Sequence, residues 1–182
     1  MLFRSKSVPI IKELLKAWKI PILQVEGYEA DDVIGTLATK AGQKGIQTYM
    51  LTPDKDYGQL VSNHVFIYRP RHGGGYETMG TEEVKAKYTI PSTNAVIDLL
   101  ALMGDSADNF PGCPGVGEKT AVKLINEFGS VEEMLDRISE IKGALKTKIE
   151  THVEDIKMSK FLATIKTDVH RTQYGRIESL ES

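Results

Sequence analysis

Two kinds of chemistry meet in the stretch Gly104–Thr120, GDSADNFPGCPGVGEKT. Its first part carries Asp105 and Asp108, two carboxylates three residues apart in a polar loop that can direct them at a cation. Its second part is a tight turn at residues 114–117, after which a helix is predicted to begin at Glu118. The unpaired N–H groups of a helix start can receive a phosphate group. Acids for a metal and amides for a phosphodiester together indicate a nucleic-acid enzyme.

Two further groups of acids occur earlier in the chain. Glu29, Asp31 and Asp32 lie at the start of a predicted helix, and Asp54 and Asp56 follow a predicted strand. Because functional groups of an open parallel sheet gather beyond the carboxyl ends of its strands, we expect both groups to face one crevice. Crowded carboxylates repel one another unless a cation compensates them. Oxygen ligands without His or Cys favour Mg²⁺ or Mn²⁺ over Zn²⁺, and two such ions about 4 Å apart would support phosphodiester hydrolysis.

Each group of acids also has a simpler explanation. Acids in a first helical turn usually complement the helix dipole, which would account for Glu29, Asp31 and Asp32. Asp54 and Asp56 can belong to an ordinary turn, and the acids after Gly104 can be capping and turn residues. The three groups together are harder to explain in this way, since all fall at positions compatible with one crevice.

The composition restricts the possible classes of protein. With 182 residues, 41% of them hydrophobic, the chain can form a real core, and a net charge of only -2 means that any binding of nucleic acid must be local. The single cysteine, Cys113, excludes an internal disulfide and a cysteine-based zinc cluster, which fits a reducing cytoplasm. The sequence has no apolar run of about 18 residues, so a membrane location is not predicted.

The hydrophobic pattern predicts an α/β first half. Helical spacing covers about Ser7 to Lys19 and again Ala30–Lys44, with Val33, Ile34, Leu37 and Ala38 expected on the inner face of the second helix. Short apolar strands are predicted at Pro21–Val25 and Ile46–Leu51, and the alternation of helix and strand is typical of a mostly parallel sheet flanked by helices. The prediction continues with a short helix near 58–61, a strand at Val65–Tyr68, a glycine hairpin and a strand at Tyr76–Met79.

The second half is predicted to be all-helical. The expected helices are Glu82–Tyr88, Ala95–Met103, Glu118–Phe128, Val131–Leu135 and one or two between Gly143 and Ile165. We place a soft boundary near Pro91, which gives domains of residues 1–91 and 92–182.

Five segments carry a resemblance to a known family. They are EADDVIGTLA at 29–38, DKD with QLV at 54–61, LLALMGDSADN at 99–109, PGVGEKTA at 114–121 and LATIKTD at 162–168. In this order they resemble the 5'-nuclease domain of bacterial DNA polymerases I, within the flap endonuclease superfamily. The match runs from about Val8 to Val169.

The resemblance implies a PIN-like sheet domain that uses two divalent metals, Mg²⁺ or Mn²⁺, to hydrolyse DNA from a 5' end or at a 5' flap. Glu29, Asp31, Asp32, Asp54 and Asp56 would surround the metals as the catalytic acids, with Asp105 and Asp108 completing the second metal site. It also implies a bacterial cytoplasmic protein acting at the nucleoid, with polymerase domains in the same native polypeptide.

The resemblance further implies a helix-hairpin-helix element at 98–128, whose hairpin grips the backbone of duplex DNA and often holds K⁺ on its carbonyls. Such phosphate contacts position DNA without reading its sequence. The residues expected to contact DNA are Gly115, Val116, Gly117, Lys119 and Thr120.

One part of the family pattern has no counterpart in this sequence. Members begin with a strand that carries an early Asp ligand, followed by a second Asp and a basic helical arch, whereas Met1–Ser7 resembles the far end of that arch. We therefore expect about the first third of a nuclease domain to be absent. The seven acids would still attract a metal, and two-metal catalysis is expected to be impaired.

Parts of the sequence are also compatible with three other functions. A DNA-binding module without catalysis would keep salt-sensitive duplex binding after loss of Asp54 and Asp56 and lose it on substitution of Gly115 or Gly117. An RNA-cleaving PIN-type toxin is disfavoured by the hairpin element, and an ATPase by Glu118, which interrupts the phosphate-loop pattern. A basic strip of Lys142, Lys146 and Lys148 can serve DNA or form a plain solvated face.

Overall fold

The computed structural model describes residues 2–71 and 73–169. The chain divides into two compact units. Among the described residues, one unit comprises 2–36 with 166–169 and the other comprises 37–165. No helix in the described chain is both long enough and apolar enough to span a bilayer.

The larger unit contains a three-stranded sheet in the order β1-β2-β3, formed by β1 (Thr48–Leu51), β2 (Val65–Pro70) and β3 (Tyr76–Met79). β1 and β2 are parallel, and β2 and β3 form an antiparallel hairpin in which Pro70 faces Tyr76. Alternate side chains such as Met50 and Ile67 are buried, so one face of the sheet covers the core. A 3₁₀ helix, Asp56–Leu60, follows β1.

The rest of this unit is helical. The helices are α3 (Thr81–Tyr88), α4 (Ala95–Met103), α5 (Glu118–Phe128), α6 (Val131–Asp136), a 3₁₀ turn (Ile138–Glu140), α7 (Gly143–Thr151) and α8 (Val153–Ala163). α4 is buried on almost every side and packs against α5, α6, α8 and the 3₁₀ helix after β1. A helix that is apolar all round belongs in the centre of a fold, so α4 is the axis of this unit.

The smaller unit contains α1 (Leu2–Ala17) and the start of α2 (Ala30–Gln43). Thr36 is buried, donates its hydroxyl to the carbonyl of Lys166 over 3.4 Å and accepts from the Val169 N–H over 3.1 Å. This hydroxyl fastens residues 166–169 to α2. Several apolar side chains of α1, among them Ile10 and Leu14, are exposed, as is Trp18 directly after the helix.

The predicted fold class is confirmed, with three local differences. No strand forms at Pro21–Val25. A strand requires ladder hydrogen bonds to a neighbouring strand, and the composition of the segment alone does not reveal whether such a neighbour is in place. α1 begins at Leu2, so Ser7 lies inside the helix rather than at its start. Ile34 is exposed on α2, although Val33 and Ala38 are buried as predicted.

A buried ion pair ties α4 to its neighbours. The Asp98 carboxylate accepts from the Val131 N–H over 3.0 Å and from Lys160 Nζ over 2.6 Å, and Lys160 also reaches Glu132 over 2.6 Å. Asp98 therefore supplies the acceptor for the first amide of α6 and a partner for a cation on α8. Removal of Asp98 would leave the buried Val131 N–H without its acceptor and Lys160 with Glu132 alone.

We expect Asp98→Ala to lower the free energy of unfolding by about 2–4 kcal/mol, because it leaves the Val131 amide and Lys160 without this buried acceptor. The measurement is urea denaturation followed by circular dichroism. Glu82→Ala, which removes the exposed i,i+3 pair with Lys85, is the matched control and should cost less than about 0.5 kcal/mol. Equal losses in the two variants would contradict this role of Asp98.

Candidate metal centre and nucleic-acid interface

The turn after β1 places two of the predicted acids side by side. The Thr52 hydroxyl accepts from the Asp54 N–H over 3.1 Å, and Asp54 Oδ1 accepts from the Asp56 N–H over 3.0 Å. These local bonds shape the turn in the manner typical of Thr and Asp. Asp54 thus has a structural role as well as its predicted one, and it fixes Asp56 at the start of the 3₁₀ helix.

The second pair of acids lies on a closed loop after α4. Asp105 and Phe110 exchange two backbone hydrogen bonds of 3.0 Å, and Asp105 Oδ1 accepts from the Ala107 N–H over 2.8 Å. The loop walls a cleft of about 500 Å³ that runs from Met103 to Pro111. Asp105 is therefore held rigidly at the rim of an open cleft, whereas Asp108 on the same loop is exposed.

Two glycines close the base of this loop. Gly104 and Gly112 have φ angles of +72° and +60°, and a Cβ on Gly112 would lie 2.2 Å from the Gly104 nitrogen. The Gly112 N–H donates to Ser159 Oγ over 2.8 Å, and the N–H of Cys113 donates to the Leu102 carbonyl over 2.8 Å. No side chain fits at this crossing. The loop 104–112, which carries Asp105 and Asp108 and is called the acid loop below, is therefore anchored to α4 and α8 by the backbone N–H groups of Gly112 and Cys113.

Lys55 joins the two pairs of acids. Its Nζ lies 2.5 Å from Asp105 Oδ2. Burial alone would lower the pKa of Lys55, but the hydrogen bond to Asp105 and the charges of Asp56 and Asp54 outweigh burial and raise it. The same hydrogen bond, with the Ala107 amide, lowers the pKa of Asp105. One ammonium thus interacts with three carboxylates, those of Asp105, Asp56 and Asp54.

Asp56 has a raised pKa. Burial, as the largest cause, and the neighbouring charge of Asp54 together bring the pKa of Asp56 to about 6, while Lys55 opposes the rise and Asp108 and Asp105 add smaller amounts. Asp56 Oδ1 is buried and has no hydrogen-bond partner among the described residues. A buried oxygen without a hydrogen bond lowers the stability of the folded state, so this atom is a candidate to bind a further group such as an ion.

The chemistry of these residues fits a hard divalent cation. The donors are carboxylate oxygens only, the local charge is negative and one buried oxygen is unsatisfied, all of which suit Mg²⁺ or Mn²⁺. Across the described ranges, no three His, Cys, Asp or Glu side chains lie close enough together to hold a metal ion. The fit is therefore one of donor chemistry and charge.

The predicted phosphate-binding turn is also formed. Val116 donates to the Cys113 carbonyl over 2.9 Å, Gly115 has a φ of +80°, and α5 begins directly after Gly117. The N–H groups of Gly117, Glu118 and Lys119 have no acceptor within the part of the chain that the structure describes. They form the free N-terminal amides that an anion requires.

A lysine from another helix lies against this turn. A Cβ on Gly115 would approach Lys148 Nζ to 2.6 Å, so the ammonium of α7 covers the glycine directly. Lys146, two residues earlier, instead forms an ion pair of 3.7 Å with Glu150. No ion pair of Lys148 is found among the described residues, and this lysine differs in that respect from its neighbour.

The remaining predicted acids belong to the smaller unit. Asp32 Oδ1 accepts from the Lys166 N–H over 2.9 Å, and Asp32 Oδ2 accepts weakly from the Glu29 N–H over 3.4 Å. Asp32 therefore caps the start of α2 and holds residue 166. Asp31 lies in the first turn of the same helix.

The sequence did not single out two residues that the structure brings to these sites. Lys55 lies in a segment whose residue types indicate an ordinary turn, and its ion pair with Asp105 spans fifty residues, which no local pattern reports. The lysine spacing around Lys148 is compatible both with a DNA-binding strip and with a solvated face. Its helical spacing gives no sign that it reaches Gly115.

Comparison with known proteins identifies the family. Two consecutive family models match: 5'-3' exonuclease, N-terminal resolvase-like domain, over residues 4–89, and 5'-3' exonuclease, C-terminal SAM fold, over residues 91–180. An α/β part followed by a helical part is what the structure contains. The chain belongs to the 5'-3' exonuclease family, and the resemblance drawn from the motifs is confirmed.

Its relatives are bacterial DNA polymerases I. Identity is 45% over 166 residues with the enzyme of Bacillus caldotenax, 46% over 166 residues with that of Bacillus subtilis strain 168, and 40% over 164 residues with the thermostable enzyme of Thermus aquaticus. Each match covers 90% of this chain and 19% of the relative. The chain thus spans about a fifth of the length of these proteins.

Solved structures show the same fold. T5 5'-exonuclease with bound divalent zinc ions has a TM-score of 0.74 at 22% identity, covering 85% of this chain and 56% of that one. The bacteriophage T5 flap endonuclease in a pseudo-enzyme-product complex with DNA and metal ions has a TM-score of 0.75 at 22% identity, covering 86% and 56%.

We expect Gly112→Ala to destabilise the larger unit by about 3 kcal/mol or more, because a Cβ would collide with the Gly104 backbone in addition to the left-handed strain. Chemical denaturation measures the loss. Gly143→Ala is the matched control, since its φ of +67° is similar and its Cβ position is open; it should cost about 1–2 kcal/mol. Similar losses in both variants would mean that the crossing is not tight.

Proposed function

We propose that this chain is the metal-dependent 5'-nuclease part of a bacterial DNA polymerase I, which hydrolyses DNA phosphodiesters at a 5' end or a 5' flap. The observation that carries the proposal is the ion pair of 2.5 Å between Lys55 and Asp105, which brings the turn of Asp54 and Asp56 to the loop of Asp105, with Asp56 Oδ1 buried and without a hydrogen-bond partner among the described residues. The relatives' name and the T5 complex with DNA and metal ions support the substrate class.

The proposed metal ligands are the predicted acids Glu29, Asp31, Asp32, Asp54, Asp56, Asp105 and Asp108. Mg²⁺ or Mn²⁺ is the proposed ion, because all of these donors are carboxylates. A bound divalent ion would supply charge compensation and a more acidic water for hydrolysis of the phosphodiester. The first group of acids is proposed on the family motif, and the others on the motif together with their electrostatic coupling.

The protein's own residues orient these donors. Thr52 and the backbone of the turn fix Asp54, and the Ala107 amide fixes Asp105 through Oδ1, while Oδ2 of Asp105 is paired with the Lys55 ammonium. Rigid backbone at the Gly104 and Gly112 crossing keeps Asp105 in place. Ligands held in this way need little reorganisation when a metal binds.

The turn at 114–117 is proposed to hold the phosphodiester backbone of duplex DNA. Its free amides and the Lys148 ammonium present one positive surface, to which Lys119 and Thr120 belong by position in the chain. Carbonyls of the turn are the proposed ligands of a K⁺ ion. Such contacts are independent of base sequence, as a structure-specific nuclease requires. The relatives also support a polymerase region in the same native polypeptide and action in the bacterial cytoplasm.

The nuclease proposal predicts metal-dependent cleavage of a 5'-labelled flap oligonucleotide by the purified chain. Asp54→Asn should reduce the cleavage rate on the order of 100-fold or more, because it removes a charged group that acts in the transition state. Asp136→Asn, at the end of α6, is the control and should leave the rate unchanged. Cleavage that persists in EDTA, or equal rates in the two variants, would contradict the proposal.

A second candidate, a duplex-binding module without catalysis, is favoured by the free amides and Lys148. Such a module would bind duplex DNA in a salt-sensitive manner and would cleave no DNA with any metal ion. The Asp54→Asn substitution would leave its binding intact. The flap assay together with a binding isotherm therefore separates the two functions. Cleavage of an RNA flap in preference to DNA would instead support a ribonuclease.

Lys148→Ala should weaken duplex binding uniformly across DNA sequences and reduce the slope of log K against log[salt] by about 1, because one phosphate contact is lost. Fluorescence anisotropy at several salt concentrations measures both quantities. Lys146→Ala is the matched control, since Lys146 already pairs with Glu150. Equal slopes for Lys148→Ala and the unmodified chain would exclude a contact with phosphate.

Gly117→Ala separates DNA approach from folding. Gly117 has a φ of -93°, and no atom lies within 4 Å of its Cβ position, so the substitution should leave the free energy of unfolding within about 1 kcal/mol. The added methyl group would stand on the surface that a phosphate must reach. We therefore expect weaker duplex binding at unchanged melting temperature, and unchanged binding would contradict this placement of DNA.

A further inference from the structure

We propose that Lys55 is an exchangeable internal counter-ion of the acid group, which occupies Asp105 until a divalent metal ion displaces it. The proposal rests on the proposed function, since it concerns metal binding by the same acids. It assigns a role in metal affinity to a residue that is itself neither a ligand nor a catalytic group.

The geometry around Asp105 leaves one oxygen for a cation. Oδ1 is taken by the Ala107 amide over 2.8 Å, and Oδ2 is taken by Lys55 Nζ over 2.5 Å. A metal ion that uses Oδ2 as a ligand cannot share this oxygen at that distance with an ammonium, because the two cations would repel strongly. Binding at Asp105 therefore requires Lys55 to leave.

Lys55 is able to leave. Its side chain is 45% exposed, whereas that of Asp105 is 11% exposed, and its chain of four methylene groups is flexible. The structural lysine of this unit, Lys160, differs in both respects, since it is 24% exposed and held by Asp98 and Glu132 together. The anchored partner is thus the acid and the movable partner is the lysine.

The exchange has an electrostatic benefit in both states. Without a metal, the Lys55 ammonium neutralises Asp105 over 2.5 Å, at the point where the turn of Asp54 and Asp56 meets the loop of Asp105. With a divalent ion bound, two positive charges replace one, and the unsatisfied Asp56 oxygen can gain a partner. Lys55 therefore keeps the acids together while lowering their affinity for the ion.

The test compares Mn²⁺ binding by the whole chain and by Lys55→Met, using isothermal titration calorimetry. We expect the variant to bind Mn²⁺ on the order of tenfold more tightly, since one competing charge is removed from the group. Lys55→Arg should stay near the unmodified chain. Lys85→Met is the matched control, because Lys85 forms a surface pair with Glu82 and should change nothing.

Thermal unfolding gives a second readout that does not depend on cleavage. In EDTA, Lys55→Met should melt at a lower temperature than Lys85→Met, and saturating Mn²⁺ should raise the melting temperature of Lys55→Met more than that of the unmodified chain. If Lys55→Met does not fold, Lys55→Gln, which keeps a hydrogen-bond donor without charge, should show the same tighter binding.

The outcomes distinguish the two proposals. Mn²⁺ binding that is lost in Asp54→Asn but equal or weaker in the uncharged Lys55 variants overturns the counter-ion role and leaves the proposed function standing. Absence of Mn²⁺ binding in the unmodified chain and in every Lys55 variant overturns both. Tighter binding by the uncharged variants alone supports the exchange.

Discussion

Burial of α4 on almost all sides is the constraint on which the larger unit depends. An apolar helix in that position must be covered by α5, α8 and the 3₁₀ helix, so the chain before and after it has little freedom. Gly58 packs closely on Val96, since a Cβ there would lie 3.1 Å from the valine. Asp56 and Asp105 are therefore positioned by a core to which neither contributes.

The charges in this unit are arranged in two different ways. Asp98 and Lys160 are mutually satisfied, together with an amide and a second acid, and hold helices together. The acids around Lys55 are not satisfied in this way: burial and then Asp54 raise the pKa of Asp56, and Asp56 Oδ1 has no hydrogen-bond partner among the described residues. Functional sites commonly contain charged groups that do not contribute to folding and that lower the stability locally.

Sequence reasoning recovered what is local in the chain. The bounds of Ala95–Met103 and Glu118–Phe128 were predicted as observed, because their periodic apolar residues and flanking glycines specify a helix by neighbouring positions alone. The strand at Pro21–Val25 was wrong, since strand formation depends on a distant partner. The early start of α1 has no comparable signal in its composition.

In the candidate site, too, local features were predictable and contacts between distant segments were not. Its acids and turn were predicted from residue types and motifs, whereas Lys55 with Asp105 and Lys148 with Gly115 are contacts between segments far apart in sequence. The sequence around a lysine does not reveal which distant acid or glycine that lysine will contact. Pairings of this kind follow from packing of the whole unit around α4, which a pattern of neighbours does not contain.

The acid loop and the turn at 114–117 are connected by a short segment that hydrogen bonds hold in place. Gly112 and Cys113 lie between them and are fixed by hydrogen bonds to Ser159 and Leu102. A phosphodiester held by the turn would therefore be placed relative to Asp105 by backbone geometry and not by base sequence. Under the proposed function, selection of a DNA structure would need no contact with base edges, because the spacing between the turn and the acids is built into one short segment of chain.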